Sequence, residues 1–155
     1  MTQKEKELLL SDLCARLPYG VKCAYFNTKD EIKVGELLTI WCKEKRVFID
    51  KLSIDYDGGD CIGVMPYLFP LSSMTEEQEK ELITITDGKF RYMWGDITNA
   101  IPRKNTSEWG ISENAFINGI KVINILYIWL LKNHFDINGL IPLGLAIDAS
   151  GLNIY

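Results

Sequence analysis

The pattern of apolar and polar positions divides the chain into a helical start, a strand-rich middle and a helical end. Over residues 3–17, Leu10, Leu13, Cys14 and Leu17 recur at the i, i+3, i+4, i+7 spacing of one helix face, and Lys4, Glu5 and Lys6 lead in from solvent. Pro18-Tyr19-Gly20 stops this helix, because proline cannot continue the hydrogen-bond ladder and glycine permits the turn. From Val21 to Leu71 the period changes to that of strands. Residues 21–25, 37–42 and 47–54 are rich in the β-branched and aromatic side chains that fit a pleated surface. Lys43-Glu44-Lys45-Arg46 is a polar break of hairpin-loop length, and Asp55-Tyr56-Asp57-Gly58-Gly59-Asp60 supplies two glycines for a second turn. Cys61-Ile62-Gly63-Val64-Met65 adds a further strand before Pro66. These segments predict an antiparallel meander of four or five strands over 21–71, for which a small SH3-like or Sm-like barrel is one closure.

Helical signals return after the meander. Ser73 with Glu76, or Thr75 with Gln78, can form a capping box, so a helix is predicted over 75–85, inward at Leu82 and Ile85 and ended by Asp87-Gly88. Residues 89–111 carry Phe90, Tyr92, Met93, Trp94 and Trp109 among Gly95, Pro102, Asn105 and Gly110, which predicts a short strand and then a long irregular segment. The longest helix is expected over 113–134, capped by Ser112. Phe116, Ile120, Ile123, Tyr127, Leu130 and His134 form its inward line, and Asn138-Gly139 terminates it. The tail, 138–155, is apolar with turns at Pro142, Gly144 and Gly151 and is expected to pack back on the body. The whole reads as one α+β domain over 1–155: an N-terminal helix, the meander, then helices that include a long C-terminal one.

Composition narrows the class without giving the task. A chain of 155 residues, 47% apolar and 25% charged, buries enough surface to fold without disulfides or metals. The net charge of −4 disfavours a nucleic-acid coat, which needs excess Lys and Arg. The clusters Lys43, Lys45, Arg46, Lys51 and Arg103, Lys104 read as solvated loop faces. Cys14, Cys23, Cys42 and Cys61 contain no C-x-x-C pair and read as buried small hydrophobes. The N-terminal apolar run is too short for an export signal, so a cytoplasmic location is expected, with reduced thiols. The apolar run 120–131 is far shorter than the roughly 20 residues a membrane span requires and is expected to be a core helix.

No motif in the sequence identifies a reaction. His134 and Asp136 are alternate residues and do not face each other on a helix end, so the histidine is expected to meet the last helix carbonyls as a cation. The stretch from Asp55 starts like a calcium loop but has Gly59 at position five and Pro66 where a bidentate Glu is needed. Ser72 and Ser73 lack a nucleophile-elbow setting, and Gly58, Gly59 and Gly63 lack the spacing of phosphate-binding loops. Asp96, Glu108 and Glu113 could form a carboxylate site only through the fold. No cofactor or metal is expected. The aromatics Tyr67, Phe69, Tyr92, Trp94 and Trp109, in or beside irregular segments, are the candidate binding residues, since rigid amphipathic rings serve recognition well.

Three segments carry a resemblance. Asp12-Leu13-Cys14-Ala15-Arg16-Leu17-Pro18-Tyr19-Gly20-Val21, the stretch from Pro66 to Glu77 (PYLFPLSSMTEE) and the stretch from Trp129 to Ile141 (WLLKNHFDINGLI) resemble a group of uncharacterised small proteins of Bacteroidetes genomes and their phages or mobile elements. Gly144-Leu145-Ala146-Ile147-Asp148-Ala149 fits the same group, residues 84–111 depart from it, and Phe69 stands where a basic residue is expected. The resemblance implies phage or mobile-element provenance. The function expected from the residues is a non-enzymatic binding or accessory protein acting through protein or nucleic-acid contacts, of which the net charge favours a protein partner. An enzyme with a carboxylate site assembled in three dimensions, or a structural oligomer, are the alternatives.

Overall fold

A computed structural model describes residues 1–26, 31–41, 46–50, 52–55, 64–86 and 113–155; at Phe26, 52–55 and 113–119 the description extends to the backbone alone. The first helix, α1 (Gln3–Arg16), starts at a capping box. The Thr2 hydroxyl accepts from the Glu5 amide at 3.3 Å, and the Glu5 carboxylate accepts from the Thr2 amide at 2.6 Å. The buried line is Leu9, Asp12, Leu13 and Arg16, so the inward face is turned from the Leu10–Cys14–Leu17 line expected from hydropathy, and Cys14 is exposed. The difference arises because Asp12 and Arg16 satisfy each other and can therefore be buried, which a hydropathy count does not register. A single helical turn through Pro18 follows, and Gly20 takes the left-handed conformation (φ 66°) that closes it.

The meander is formed by β1 (Lys22–Phe26), β2 (Ile32–Trp41), β3 (Arg46–Ile49) and β4 (Leu52–Asp55), each antiparallel to the next. The predicted strand 47–54 is in fact two strands, because Asp50 adopts a left-handed conformation (φ 51°) and turns the chain. β5 (Val64–Leu68) does not extend the meander but returns to pair antiparallel with β1, and β6 (Ile147–Asp148) pairs with β5 in parallel. Among the described residues the strand order is β4-β3-β2-β1-β5-β6, with no pairing between β4 and β6. Pro66 lies within β5 opposite Cys23, and β6 pairs with β5 only from Tyr67 onward. One sheet face carries Leu9 and Leu13 of α1 together with Val21, Cys23, Tyr25, Leu37, Val47, Ile49, Val64, Leu68, Leu140, Leu145 and Ala146 as a single apolar core.

Two irregularities in β2 position its side chains. Gly35 lies where a Cβ would come within 2.6 Å of Ile49 Cγ2 and would also strike the Asp50 carboxylate, so the strand can approach the β3 turn only with glycine there. A bulge then breaks the register between Leu37 and Thr39. It inserts Leu38 as an extra residue and reverses the alternation, so that Ile40 faces the core opposite Val47 while Thr39 and Trp41 face outward with Phe48.

The chain forms two compact units, residues 1–73 with 130–155, and residues 74–129. In the second, α2 (Glu76–Ile85) starts at the Thr75–Gln78 capping box, with Leu82 buried and Ile85 exposed. The long helix α3 (Glu113–Lys132) runs from the second unit into the first. Its buried positions are Val122, Trp129, Leu130 and Leu131, whereas Ile120, Ile123 and Tyr127, expected inward, are exposed. No helix among the described residues is long and apolar enough to cross a membrane.

Candidate functional site

α3 ends two residues before the expected boundary, at a motif that sets up everything after it. The His134 amide donates to the Leu131 carbonyl at 3.1 Å and the Phe135 amide to the Leu130 carbonyl at 3.0 Å, with His134 left-handed at φ 59°. This is the Schellman arrangement, with histidine in the place usually taken by glycine. The next turn is fixed by Asp136, whose two carboxylate oxygens accept from the Leu140 and Ile141 amides, both at 2.8 Å. Between these turns the backbone joins the end of β5: the Phe69 amide donates to the His134 carbonyl at 2.9 Å and the Asp136 amide to the Phe69 carbonyl at 2.8 Å.

The first helix closes this junction from the other side. Arg16, fully buried, donates through Nε to Asp12 Oδ2 at 2.6 Å and through Nη2 to Asp12 Oδ1 at 3.1 Å and the Phe135 carbonyl at 2.7 Å. Asn138 Nδ2 donates to the same Asp12 at 2.8 Å. Arg16 Nη1 and His134 Nδ1 have no hydrogen-bond partner among the described residues. The three sequence segments that carry the resemblance thus meet at one buried polar network, although the first and last are separated by more than a hundred residues.

Tyr155 completes it. Its ring stacks on His134 with centroids 3.9 Å apart and planes 11° apart, and Phe69 lies 5.8 Å from Tyr155 and 6.3 Å from Phe135. The Tyr155 hydroxyl donates to the Tyr67 carbonyl at 2.7 Å and accepts from the Lys22 amide at 3.1 Å. Burial pushes the phenol well above its ordinary range. Burial, then the charge of Arg16, pull the His134 imidazole down to about 4. The cation expected at the helix carbonyls is therefore a neutral ring under Tyr155. Burial and Asp12 push the Cys23 thiol up to about 12, which makes it a poor nucleophile.

These groups hold the fold together. Asp12 and Asp136 are committed to Arg16, Asn138 and two amides, and His134 faces a tyrosine ring. Among the described residues no three His, Cys, Asp or Glu side chains gather as a metal-binding group. Of the five candidate aromatics, Tyr67 is buried in β5 and Phe69 is half-buried between Phe135 and Tyr155; Tyr92, Trp94 and Trp109 lie outside the described residues, as do Asp96, Glu108, Cys42, Cys61 and the loop glycines.

What sequence reasoning missed is the outer face of the sheet. Its β1–β5–β6 part is covered by the tail, with Ala24, Tyr67 and Ala149 buried against Phe69, Ile147 and Ile154. On the β2 part the large apolar side chains are exposed. Ile32 is 64% exposed, Val34 46%, Leu38 51% and Trp41 50%, with Trp41 tilted on Phe48 at 4.7 Å. Alternation at Ile32 and Val34 was a visible signal, but only the bulge adds Leu38 and Trp41 to the same side. Glu36 stands on this face between Val34 and Leu38 and pairs with Lys22 at 3.2 Å. In the second unit, Ile120, Ile123, Tyr127 and Ile128 make another exposed apolar row on α3. Compared with protein-family models, curated proteins and solved structures, the chain matches none.

Proposed function

We propose that the chain is a non-enzymatic binding module that engages a protein partner through the outer face of β2. The observation that carries this is the row Ile32, Val34, Leu38 and Trp41, four large side chains left about half or more exposed on one face of an ordered strand. Isolated exposed hydrophobes are ordinary, but four large ones on one sheet face, flanking the Lys22–Glu36 pair, mark a contact surface. The buried network of Asp12, Arg16, His134, Asp136 and Tyr155 supports the same reading, since it occupies the reactive side chains in holding helix, sheet and tail together. The net charge of −4 favours a protein over a nucleic acid. The resemblance of the three converging segments supports an accessory protein of phage or mobile-element origin. The buried Cys23 thiol suits the reducing cytoplasm.

The test is photo-crosslinking in cells with a benzophenone amino acid at position 38, and at exposed position 4 on α1 as control. A discrete adduct from position 38 that position 4 does not give is the expected result. Equal or absent capture at both positions would remove the reading.

A further inference from the structure

We infer that the junction of α1 with the end of α3 is a binding site for a buried water molecule, held between Arg16 Nη1 and His134 Nδ1. The inference is independent of the contact surface proposed above and concerns the framework alone.

The site begins with a mismatch between burial and bonding. Arg16 is 0% exposed and His134 9%, and both belong to the compact unit of residues 1–73 and 130–155. Two of the three guanidinium nitrogens are satisfied, Nε by Asp12 and Nη2 by Asp12 and the Phe135 carbonyl. Nη1 and His134 Nδ1 are buried without a hydrogen-bond partner among the described residues. A donor on a cationic group is among the costliest to leave unpaired, and native interiors pair such groups with protein or with ordered water.

The two nitrogens share a neighbourhood. Arg16 bonds the carbonyl of Phe135, the residue that follows His134, and Nδ1 is the ring nitrogen nearer the backbone. The Arg16 charge is felt at the imidazole, where it adds to burial in keeping the ring neutral.

Charge selects the ligand. An arginine N–H can only donate, so the occupant must accept, which rules out a cation. Asp12 already balances Arg16, and Asp136 is a further buried carboxyl in the same junction. An anion would therefore add negative charge with no cation left to compensate it. Water is neutral, accepts and donates, and is held by two to four polar partners in such sites. Its oxygen accepts from Nη1, and that charge-assisted bond polarises it to donate its own hydrogen to Nδ1. The proton of the neutral ring then sits on Nε2, because the bond made at one ring nitrogen sets the state of the other.

The chain has a single histidine, so its ring nitrogens are read without overlap. Long-range proton–nitrogen correlation near neutral pH is expected to show Nδ1 unprotonated and Nε2 protonated. Water relaxation dispersion is expected to register the loss of one long-lived water on going from wild type to Asp12→Leu/Arg16→Met. A chain of this size holds several buried waters, so the difference between the two chains is the reading. Where the double variant does not fold, an Overhauser contact between a long-lived water and the Arg16 Nη protons of the wild-type chain serves in its place. A proton on Nδ1, an undiminished water count in the folded variant, or the lack of that Overhauser contact would each overturn the inference.

Discussion

Arg16→Met is the most informative single change to the framework. The side chain is fully buried and makes three hydrogen bonds, two to Asp12 and one to the Phe135 carbonyl. Methionine fills similar space but leaves the Asp12 carboxyl buried with only Asn138 Nδ2. Removing one member of a buried ion pair costs about 3–5 kcal/mol, mostly because the remaining group has lost its compensation. The stranded Phe135 carbonyl adds about 1 kcal/mol. A total of about 5 kcal/mol is a large share of the roughly 5–15 kcal/mol that holds a domain, and in a chain of this size it lowers Tm by about 15 °C. Urea unfolding followed by far-UV circular dichroism measures it. The control is Asp12→Leu/Arg16→Met, which removes both charges and is expected to recover at least half of the loss. If the single variant lost less than about 1 kcal/mol, or the double variant were no better than the single, the network would not be what joins α1 to the α3 terminus.

Three other perturbations test separate parts of the account. His134 is neutral in the fold, with its pKa lowered from 6.5 to about 4, so the unfolded chain binds the extra proton between those values. Its contribution to stability is therefore complete above about pH 6.5 and declines as pH falls toward 4. After discounting for the partly solvated ring the loss is about 2 kcal/mol. Urea midpoints at pH 7.5 and pH 4.5 should show it, and His134→Phe, which keeps the ring stack, should remove this component; an unchanged pH dependence in that variant would contradict the assignment. Gly35→Ala places a methyl group against Ile49 and Asp50 and should cost about 1–3 kcal/mol by thermal denaturation, whereas a neutral result would mean β2 does not approach the Asp50 turn this closely. Asp136→Ala frees the Leu140 and Ile141 amides and should cost about 2 kcal/mol, with faster hydrogen exchange at those two amides as the local signature.

How far the sequence disclosed this structure depended on which force decided each element. Capping chemistry is local, so the start of α2 was legible from Thr75 and Gln78. The strands of the meander were legible from their β-branched content, but their closure was not, because the return of β5 to β1 is a long-range choice. The inward face of α1 was misjudged where two charges cancel at positions 12 and 16, and the end of α3 where histidine takes a conformation usually left to glycine. The candidate site was least legible. Tyr67 and Phe69 were singled out for recognition, yet one is buried and the other half-buried beside Tyr155. The exposed row on β2 depends on a one-residue bulge, and nothing in the local composition near Leu38 announces one.

The central claim is that the buried network is framework and the outer face of β2 is the contact surface. The most direct measurement is in-cell crosslinking yield from a probe at position 34, compared between the wild-type background and Leu38→Glu, with the thermal midpoint of each chain measured alongside. The account predicts a yield at least about 10-fold lower in the Leu38→Glu chain with the midpoint shifted by no more than about 2 °C, because an exposed position contributes to contact and not to the fold. An undiminished yield in a folded Leu38→Glu chain would contradict it.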